Sequence, residues 1–433
     1  MERCSRSQSF GSERAVGSRP IATIVFFPEG AFGPTNNCVG IGAVLRARGH
    51  RVVFVIEESF AGTLEQTGFE ERLMRLGPPP AEPEAPGQFW KDFVRDIAPA
   101  FRGTTTEQLA GFILPTWRAL LDGARYVDER LTEIFAELDA DVIVEDNVCA
   151  FPAIPASGRP WVRIVSCNPL ELPDALLPPA FSGLALDDRE GAEAFRSEYA
   201  HLTGELWAQF SDFCIERGAP PLPGLQMIHE SPWLNLTIYP DELDYPRLRA
   251  LGPTWHNLQT SVRATDAAWE PPPADGRRLV YLSLGSLGSA DIELMRNLVT
   301  ALADTPHRYI VSCGPRYDEY ELADNMLGAE FLPQTSVLPH VDAVITHGGN
   351  NTVTESLWFG KPMLVAPIFW DQHDNAQRVH ETGYGFKLPT YSFEPRRLRD
   401  AVDTLLLDAA LRDRCQAAGR RLRARPGTVT AAD

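Results

Sequence analysis

The sequence lacks the features of a membrane-spanning, nucleic-acid-binding or disulfide-linked protein. Within 433 residues, no apolar run approaches the roughly 20 residues that a helix needs to cross a bilayer. The formal net charge of −18 leaves no basic excess with which to hold nucleic acid or an anionic membrane surface. The seven cysteines are odd in number and form no C-x-x-C pair, which indicates reduced thiols. These absences favour a cytoplasmic enzyme that binds no nucleic acid and has no stable association with membranes.

Signals for a metal site are equally scarce. The sequence contains no Walker motif, and the D-x-D spacing of residues 139–141 stands at the entry to an apolar strand, where we interpret it as a chance match. No cluster of His, Cys, Asp or Glu has the spacing of metal ligands. We therefore expect no metal ion and no bound cofactor.

The length of 433 residues exceeds what one hydrophobic core normally organises, so we expect two domains. Residues 1–20 are rich in Ser, Arg and Gly and are predicted to be a disordered leader. Residues 21–250 are predicted as the first domain and residues 277–433 as the second. The Pro-rich stretch 251–276 is the predicted linker between them.

Short apolar runs alternate with helical spacing on both sides of the predicted linker. Strands are predicted at 21–27, 52–56, 141–144, 279–284, 309–313 and 343–345. Helices are predicted at 36–48, 89–98, 108–138 and 290–303, with a break at the Pro-rich residues 77–86. This alternation predicts an α/β protein with two facing Rossmann-like parallel-sheet domains and a site in the interdomain cleft.

The stretch 346–379 carries most of the functional information. His347 lies at the carboxyl end of the predicted strand 343–345. Gly348 and Gly349, which follow it, allow a ligand to approach the backbone closely. The cap-type residues that follow, and that would open a helix at Val353, are Asn350, Asn351 and Thr352. A helix start of this kind offers free N–H groups and a positive dipole end, which suits a diphosphate.

Further residues at fixed spacing extend this pattern. They are Glu355, the turn Gly360-Lys361-Pro362, the pair Asp371-Gln372, the pair Asn375-Ala376, and the upstream stretches 281–286 and 330–334. Together they resemble the donor-binding signature of the family 1 glycosyltransferases, the UDP-glycosyltransferase superfamily of GT-B fold. The sequence of these motifs is most similar to the bacterial branch that decorates macrolides and other natural products.

The resemblance implies a site for a nucleotide-sugar. His347 would contact the diphosphate, in a cradle completed by Gly349, Asn351, Thr352 and the loop that carries Ser286. The residues implied to contact the ribose, the base and the sugar are Glu355 for the ribose hydroxyls, Phe331 and Gln334 for the base, and Asp371 and Gln372 for the sugar hydroxyls. Asn350 stands where plant relatives usually carry Trp.

The first-domain loop departs from the family pattern. Relatives read G-H-x-x-P there, and their His is the catalytic base; here residues 30–34 read G-A-F-G-P, with Ala31 in place of the His. Glu29 or Asp146 is the candidate base, since burial in a cleft would raise the pKa of either carboxyl. A second interpretation is an acceptor that is already nucleophilic and needs mainly positioning. A third is a non-catalytic nucleotide-sugar-binding or helper protein.

The resemblance thus implies an inverting, metal-independent transferase that moves a hexose, with glucose favoured, from a UDP- or TDP-sugar to a small hydrophobic natural product. The chain is expected to act as a monomer or homodimer. Relatives end with a helix that crosses back onto the first domain, and we expect that helix to be truncated here.

Overall fold

The computed structural model describes residues 22–79, 92, 95–264 and 266–433. The predicted leader, most of the Pro-rich break at 77–86 and half of the helix predicted at 89–98 therefore lie outside the described residues.

The first half of the described chain is built on a seven-stranded parallel sheet in the order β3-β2-β1-β4-β5-β6-β7. Its strands are β1 (Thr23–Pro28), β2 (Arg51–Glu57), β3 (Glu70–Met74), β4 (Val142–Asp146), β5 (Trp161–Val165), β6 (Leu234–Thr237) and β7 (Trp255–Asn257). The helices are α1 (Phe32–Ala47), α2 (Thr105–Gln108), α3 (Leu114–Leu138), α4 (Ala153–Ala156) and α5 (Arg189–Glu216). A π-helical turn, Leu109–Ile113, joins α2 to α3.

The second half carries a six-stranded parallel sheet in the order β10-β9-β8-β11-β12-β13. Its strands are β8 (Leu279–Ser283), β9 (Arg308–Ser312), β10 (Met326–Ala329), β11 (Ala343–Thr346), β12 (Met363–Val365) and β13 (Gly385–Lys387). The helices are α6 (Gly285–Gly288), α7 (Ile292–Leu302), α8 (Gln334–Val337), α9 (Asn350–Trp358), α10 (Gln372–Glu381), α11 (Pro395–Leu407), α12 (Ala409–Ala424) and α13 (Gly427–Ala432).

The apolar runs form strands because both faces of each sheet are covered. Val53, Phe54 and Val55 of β2 are all fully buried, as are Val344 and Ile345 of β11. A strand with helices on both faces has no solvated side, so its sequence is continuously apolar instead of alternating. The predicted α/β class with two parallel-sheet units of GT-B type is confirmed.

Two segments pack on the first unit although the predicted domain boundaries place them outside it. Strand β7 falls within the stretch predicted as linker, yet it pairs with β6 and completes the first sheet. At the other end of the chain, α13 packs against α1 of the first unit. The side chain of Arg48 donates to the carboxylate of Asp433 at 2.7 Å, so a short helix does cross between the two units.

Among the described helices, none combines the length and the apolar character that crossing a bilayer requires.

Candidate active site

Segments that follow strands of both sheets meet at one cavity of about 380 Å³ between the units, here called the cleft cavity. Residues that follow β1, β4 and β5 line it from the first unit, and residues that follow β8, β11 and β12 line it from the second. The predicted site residues in its wall are Glu29, Ser286, Gln334, His347, Gly349, Asn350, Asn351, Thr352, Glu355, Asp371 and Gln372. Two predicted site residues, Asp146 and Phe331, lie outside the wall.

His347 sits in a close backbone pocket formed by two glycines. A Cβ atom on Gly285, whose φ is +72°, would stand 2.8 Å from the His347 ring, and one on Gly349 would stand 2.5 Å from its Nε2 atom. Burial lowers the pKa of His347 to about 4, while a hydrogen bond with the Ser283 backbone opposes that shift. The ring is therefore neutral near pH 7, and a dianionic diphosphate beside it would raise its pKa.

The helix that follows begins earlier than predicted. Helix α9 starts at Asn350 with Gly349 as its N-cap, and no side chain caps it, so the predicted start at Val353 was wrong. The amide groups have other partners: Asn350 Nδ2 donates to the Ser166 carbonyl at 2.5 Å, and Asn351 Nδ2 donates to the Gly33 carbonyl at 2.9 Å. The first turn of α9 is thus held against the first unit, with its dipole end at the cavity.

Glu355, implied to bind ribose, already has two partners. Its Oε1 atom accepts a hydrogen bond from Arg263 Nη1 at 2.8 Å, and its Oε2 atom accepts one from Gln334 Nε2 at 2.6 Å. Arg263 also pairs with Asp266, at 2.7 Å. The structure therefore joins Gln334 and Glu355 in one network, and their separate roles on base and ribose stay predictions.

The two candidate bases occupy different positions. Glu29 lines the cleft cavity, where burial raises the pKa of its carboxyl to about 8, with the charges of Asp146 and Glu57 adding to the rise. Asp146 is 3% exposed and stands behind the wall, where its Oδ1 atom accepts a hydrogen bond from Ser166 Oγ at 2.8 Å. Burial also raises the pKa of Asp146, to about 7. Glu29 is thus the carboxyl that an acceptor can reach.

Comparison with known proteins identifies the family. The model of the family "UDP-glucoronosyl and UDP-glucosyl transferase" matches residues 266–418. The chain is 31% identical over 393 residues to the NDP-glycosyltransferase YjiC of Bacillus subtilis (strain 168), an alignment that covers 89% of each chain. The chain belongs to the UDP-glycosyltransferase family.

One further relative and one solved structure are similar to this glycosyltransferase. It is 26% identical over 430 residues to the demethyllactenocin mycarosyltransferase of Streptomyces fradiae, with 96% of this chain and 86% of that one covered. The solved glycosyltransferase of kitacinnamycin superposes with a TM-score of 0.69 at 22% identity, covering 95% of this chain and 97% of that one. The resemblance to bacterial natural-product glycosyltransferases is confirmed.

In this glycosyltransferase the pair implied to contact the sugar is fixed by backbone hydrogen bonds. The Oδ2 atom of Asp371 accepts from the Asn168 N–H at 2.9 Å, and Gln372 Oε1 accepts from the Ile368 and Phe369 N–H groups at 3.0 and 3.2 Å. Both residues line the cleft cavity. Contact between this pair and sugar hydroxyls stays a prediction.

Phe331 lies at the rim of the glycosyltransferase's cleft. Its side chain is 48% exposed, and its ring centroid is 6.5 Å from that of Phe32, which does line the cavity. The two rings belong to opposite units, so a base that stacks on Phe331 would also approach Phe32. Stacking of the base on Phe331 stays a prediction.

Sequence reasoning missed Trp370, which enters an aromatic group of the first unit. Its ring centroid lies 4.5 Å from Phe181, 5.1 Å from Trp117 and 6.1 Å from Phe112. Its φ of +56° is strained for a residue with a Cβ atom. Packing of this side chain holds the strained turn, and the turn places the adjacent Asp371 at the cavity. Its position beside the Asp-Gln pair was the one available sequence signal.

Arg263 was also missed. It lies in the Pro-rich stretch between the units, and only the i,i+3 spacing to Asp266 could have indicated an ion pair there. Its side chain is 11% exposed and lines the cleft cavity, where it is the one Arg or Lys among the described lining residues.

Proposed function

We propose that this glycosyltransferase moves a hexose, with glucose favoured, from a UDP- or TDP-sugar to a small hydrophobic natural product, with inversion and without a metal ion. One observation carries the proposal: the cleft cavity brings Glu29 of the first unit opposite His347 and the start of α9 in the second. We assign acceptor binding to residues 21–250 and donor binding to residues 277–433, apart from the contributions of Arg263 and α13 described above.

The relatives support the substrate classes. YjiC is named an NDP-glycosyltransferase, and the Streptomyces fradiae relative is named for a mycarosyl transfer to demethyllactenocin. The apolar part of the cleft wall, formed by Phe112, Leu120, Val148, Phe369 and Trp370, suits a hydrophobic acceptor.

In the proposed reaction the acceptor oxygen attacks the anomeric carbon while the bond from that carbon to the diphosphate oxygen breaks. Glu29 takes the acceptor proton, and the nucleoside diphosphate leaves with the bonding electron pair. Negative charge grows on the leaving group, where the N–H groups of α9 and the His347 ring stabilise it. Leaving-group stabilisation by these groups removes the need for a metal ion.

The helper-protein interpretation rests on Ala31 alone. The cleft retains a carboxyl at its acceptor wall in Glu29, and the family match concerns enzymes. We therefore favour turnover over binding without transfer.

The rate should depend on pH through Glu29. Because burial holds the pKa of this carboxyl at about 8, most molecules carry the protonated, inactive form near neutral pH. We expect kcat/KM for an alcohol acceptor to rise with pH and to level off above about pH 8, measured over roughly pH 6 to 9. A phenol acidic enough to ionise by itself is the control and should show a much shallower slope. A flat profile with the alcohol would contradict the role of Glu29 as base.

The direct test is release of UDP and TDP from their glucose donors by the purified chain, with phenols, alcohols and amines as acceptors. We expect glycosylated product to form and the rate to be unchanged by a strong metal chelator. Transfer confined to acidic phenols would favour an acceptor that needs only positioning. Tight nucleotide binding without transfer to any acceptor would favour the helper protein.

A further inference from the structure

A second cavity of about 230 Å³, here called the inner pocket, adjoins the cleft cavity inside the first unit. Val148 lines both cavities, so the two adjoin at that residue. Trp117 and Phe181, which line the inner pocket, pack against Trp370 in the wall of the cleft. A ligand that fills the cleft therefore has the inner pocket as its nearest extension into the first unit.

The inner pocket is mostly apolar but contains one incompletely bonded carboxyl. Its apolar lining includes Trp117, Leu170, Phe181 and Met227, all buried. The Oε1 atom of Glu171 is buried and has no hydrogen-bond partner. A buried polar atom without a partner costs free energy, and a ligand that donates to it recovers that cost.

The charges around Glu171 favour a cation. Burial raises the pKa of Glu171 to about 8, and the charges of Asp371, Glu29 and Asp146 add to the rise. An ammonium group beside Glu171 would favour the ionised carboxylate and lower its pKa, because a nearby positive charge stabilises the charged form, whereas an anion would raise that pKa further.

The other charged residues of the inner pocket are already paired. Arg196 donates to the Leu177 carbonyl, and its guanidinium lies 3.7 Å from Glu193. Asp174 accepts hydrogen bonds from the N–H groups of Leu176 and Leu248, at 2.8 and 2.9 Å. Glu171 is therefore the lining carboxyl that retains an oxygen for a ligand.

We propose that the inner pocket binds the protonated amine of a hydrophobic acceptor, with Glu171 as its counter-ion, while the acceptor's nucleophilic group lies near Glu29. This inference rests on the proposed function, because it takes the cleft cavity as the acceptor site. It names the acceptor class as amphiphilic amines, with an apolar body between two polar ends. Glu171 is a specificity-determining residue in this scheme and takes no part in the sugar transfer.

The test compares two probes of equal shape, phenylbutylamine and phenylbutanol, by calorimetric titration of the intact chain without donor. We expect the amine to bind more tightly than the alcohol. Glu171→Gln should weaken amine binding by about tenfold or more, the range for loss of a charge-assisted hydrogen bond, and should leave alcohol binding unchanged. Asp212→Asn, which removes an exposed carboxylate from α5, is the matched control and should change neither.

A second variant tests the location. Gly224 lines the inner pocket, is exposed, and has open space around an added Cβ atom. Gly224→Phe should fold normally and weaken binding of both probes by occupying the pocket. Equal affinity of the intact chain for amine and alcohol, or equal weakening of both by Glu171→Gln, would overturn the inference. Because these titrations use no donor, failure of the amine test would not contradict the proposed sugar transfer. Failure of sugar transfer, in turn, would not by itself abolish the preference for the amine.

Discussion

Glu29→Gln is expected to lower kcat for alcohol acceptors by roughly two to four orders of magnitude, the usual contribution of a positioned general base. Glutamine keeps the shape of the side chain but cannot accept the proton. Nucleotide binding should be unchanged, because the groups assigned to the diphosphate belong to the opposite wall. Steady-state kinetics would measure the loss of kcat, and a separate titration with the donor would show whether nucleotide binding is unchanged.

Asp146→Asn is the matched control for that prediction. Asp146 does not line the cavity, and its negative charge helps to raise the pKa of Glu29. The variant should therefore retain most activity and shift the rise of the pH profile to lower pH. Loss of activity in Asp146→Asn with Glu29→Gln active would instead name Asp146 as the base. Small and equal effects would indicate an acceptor that needs no base.

His347→Ala is expected to lower kcat by roughly two to three orders of magnitude, by analogy with removal of one donor to a developing oxyanion. The imidazole is neutral near pH 7 because burial lowers its pKa to about 4. The diphosphate raises that pKa, so the ring stabilises the leaving group most when the charge on the diphosphate is largest. The effect should therefore fall more on kcat than on KM for the donor.

His373→Gln provides a matched control for His347→Ala. This histidine is partly buried, its ring contacts the Ile368 carbonyl at 3.2 Å, and it does not line the cleft cavity. We expect the control to keep nearly full activity. Unchanged turnover in His347→Ala would remove the histidine from the phosphate role and with it the main support for the donor site.

The sequence predicted the parallel-sheet units because their strands are buried on both faces and read as continuous apolar runs. The sequence also predicted that the residues around His347 lie close together, since these follow strands whose carboxyl ends must meet at one edge of the sheet. The start of α9 was predicted too late because Asn350, Asn351 and Thr352 were read as caps. The Asn350 and Asn351 amides instead bond across the cleft, and no local pattern reveals partners so distant in sequence.

The same limit explains the other differences. Arg263 reaches Glu355 across 92 positions of the chain, and strand β7 lies in a Pro-rich stretch that has little strand character of its own. Neither the contact between Arg263 and Glu355 nor the pairing of β7 with β6 can be predicted from the local spacing of residues. Asp146 and Glu29 could be named as candidates, but only the folded wall shows that Glu29 faces the cavity.

The insertion of Trp370 into the aromatic group of the first unit limits how far the two halves are interchangeable. Two more hydrogen bonds reinforce it, because Asp374 accepts from the N–H groups of Phe181 and Gly183 at 2.6 and 2.8 Å. A hybrid that joined this second unit to the first unit of a relative would bring the Asp371-Gln372 turn without the rings and backbone that hold it. Exchange of sugar preference between relatives by swapping halves would therefore require transplanting residues 181–183 together with the turn that they anchor.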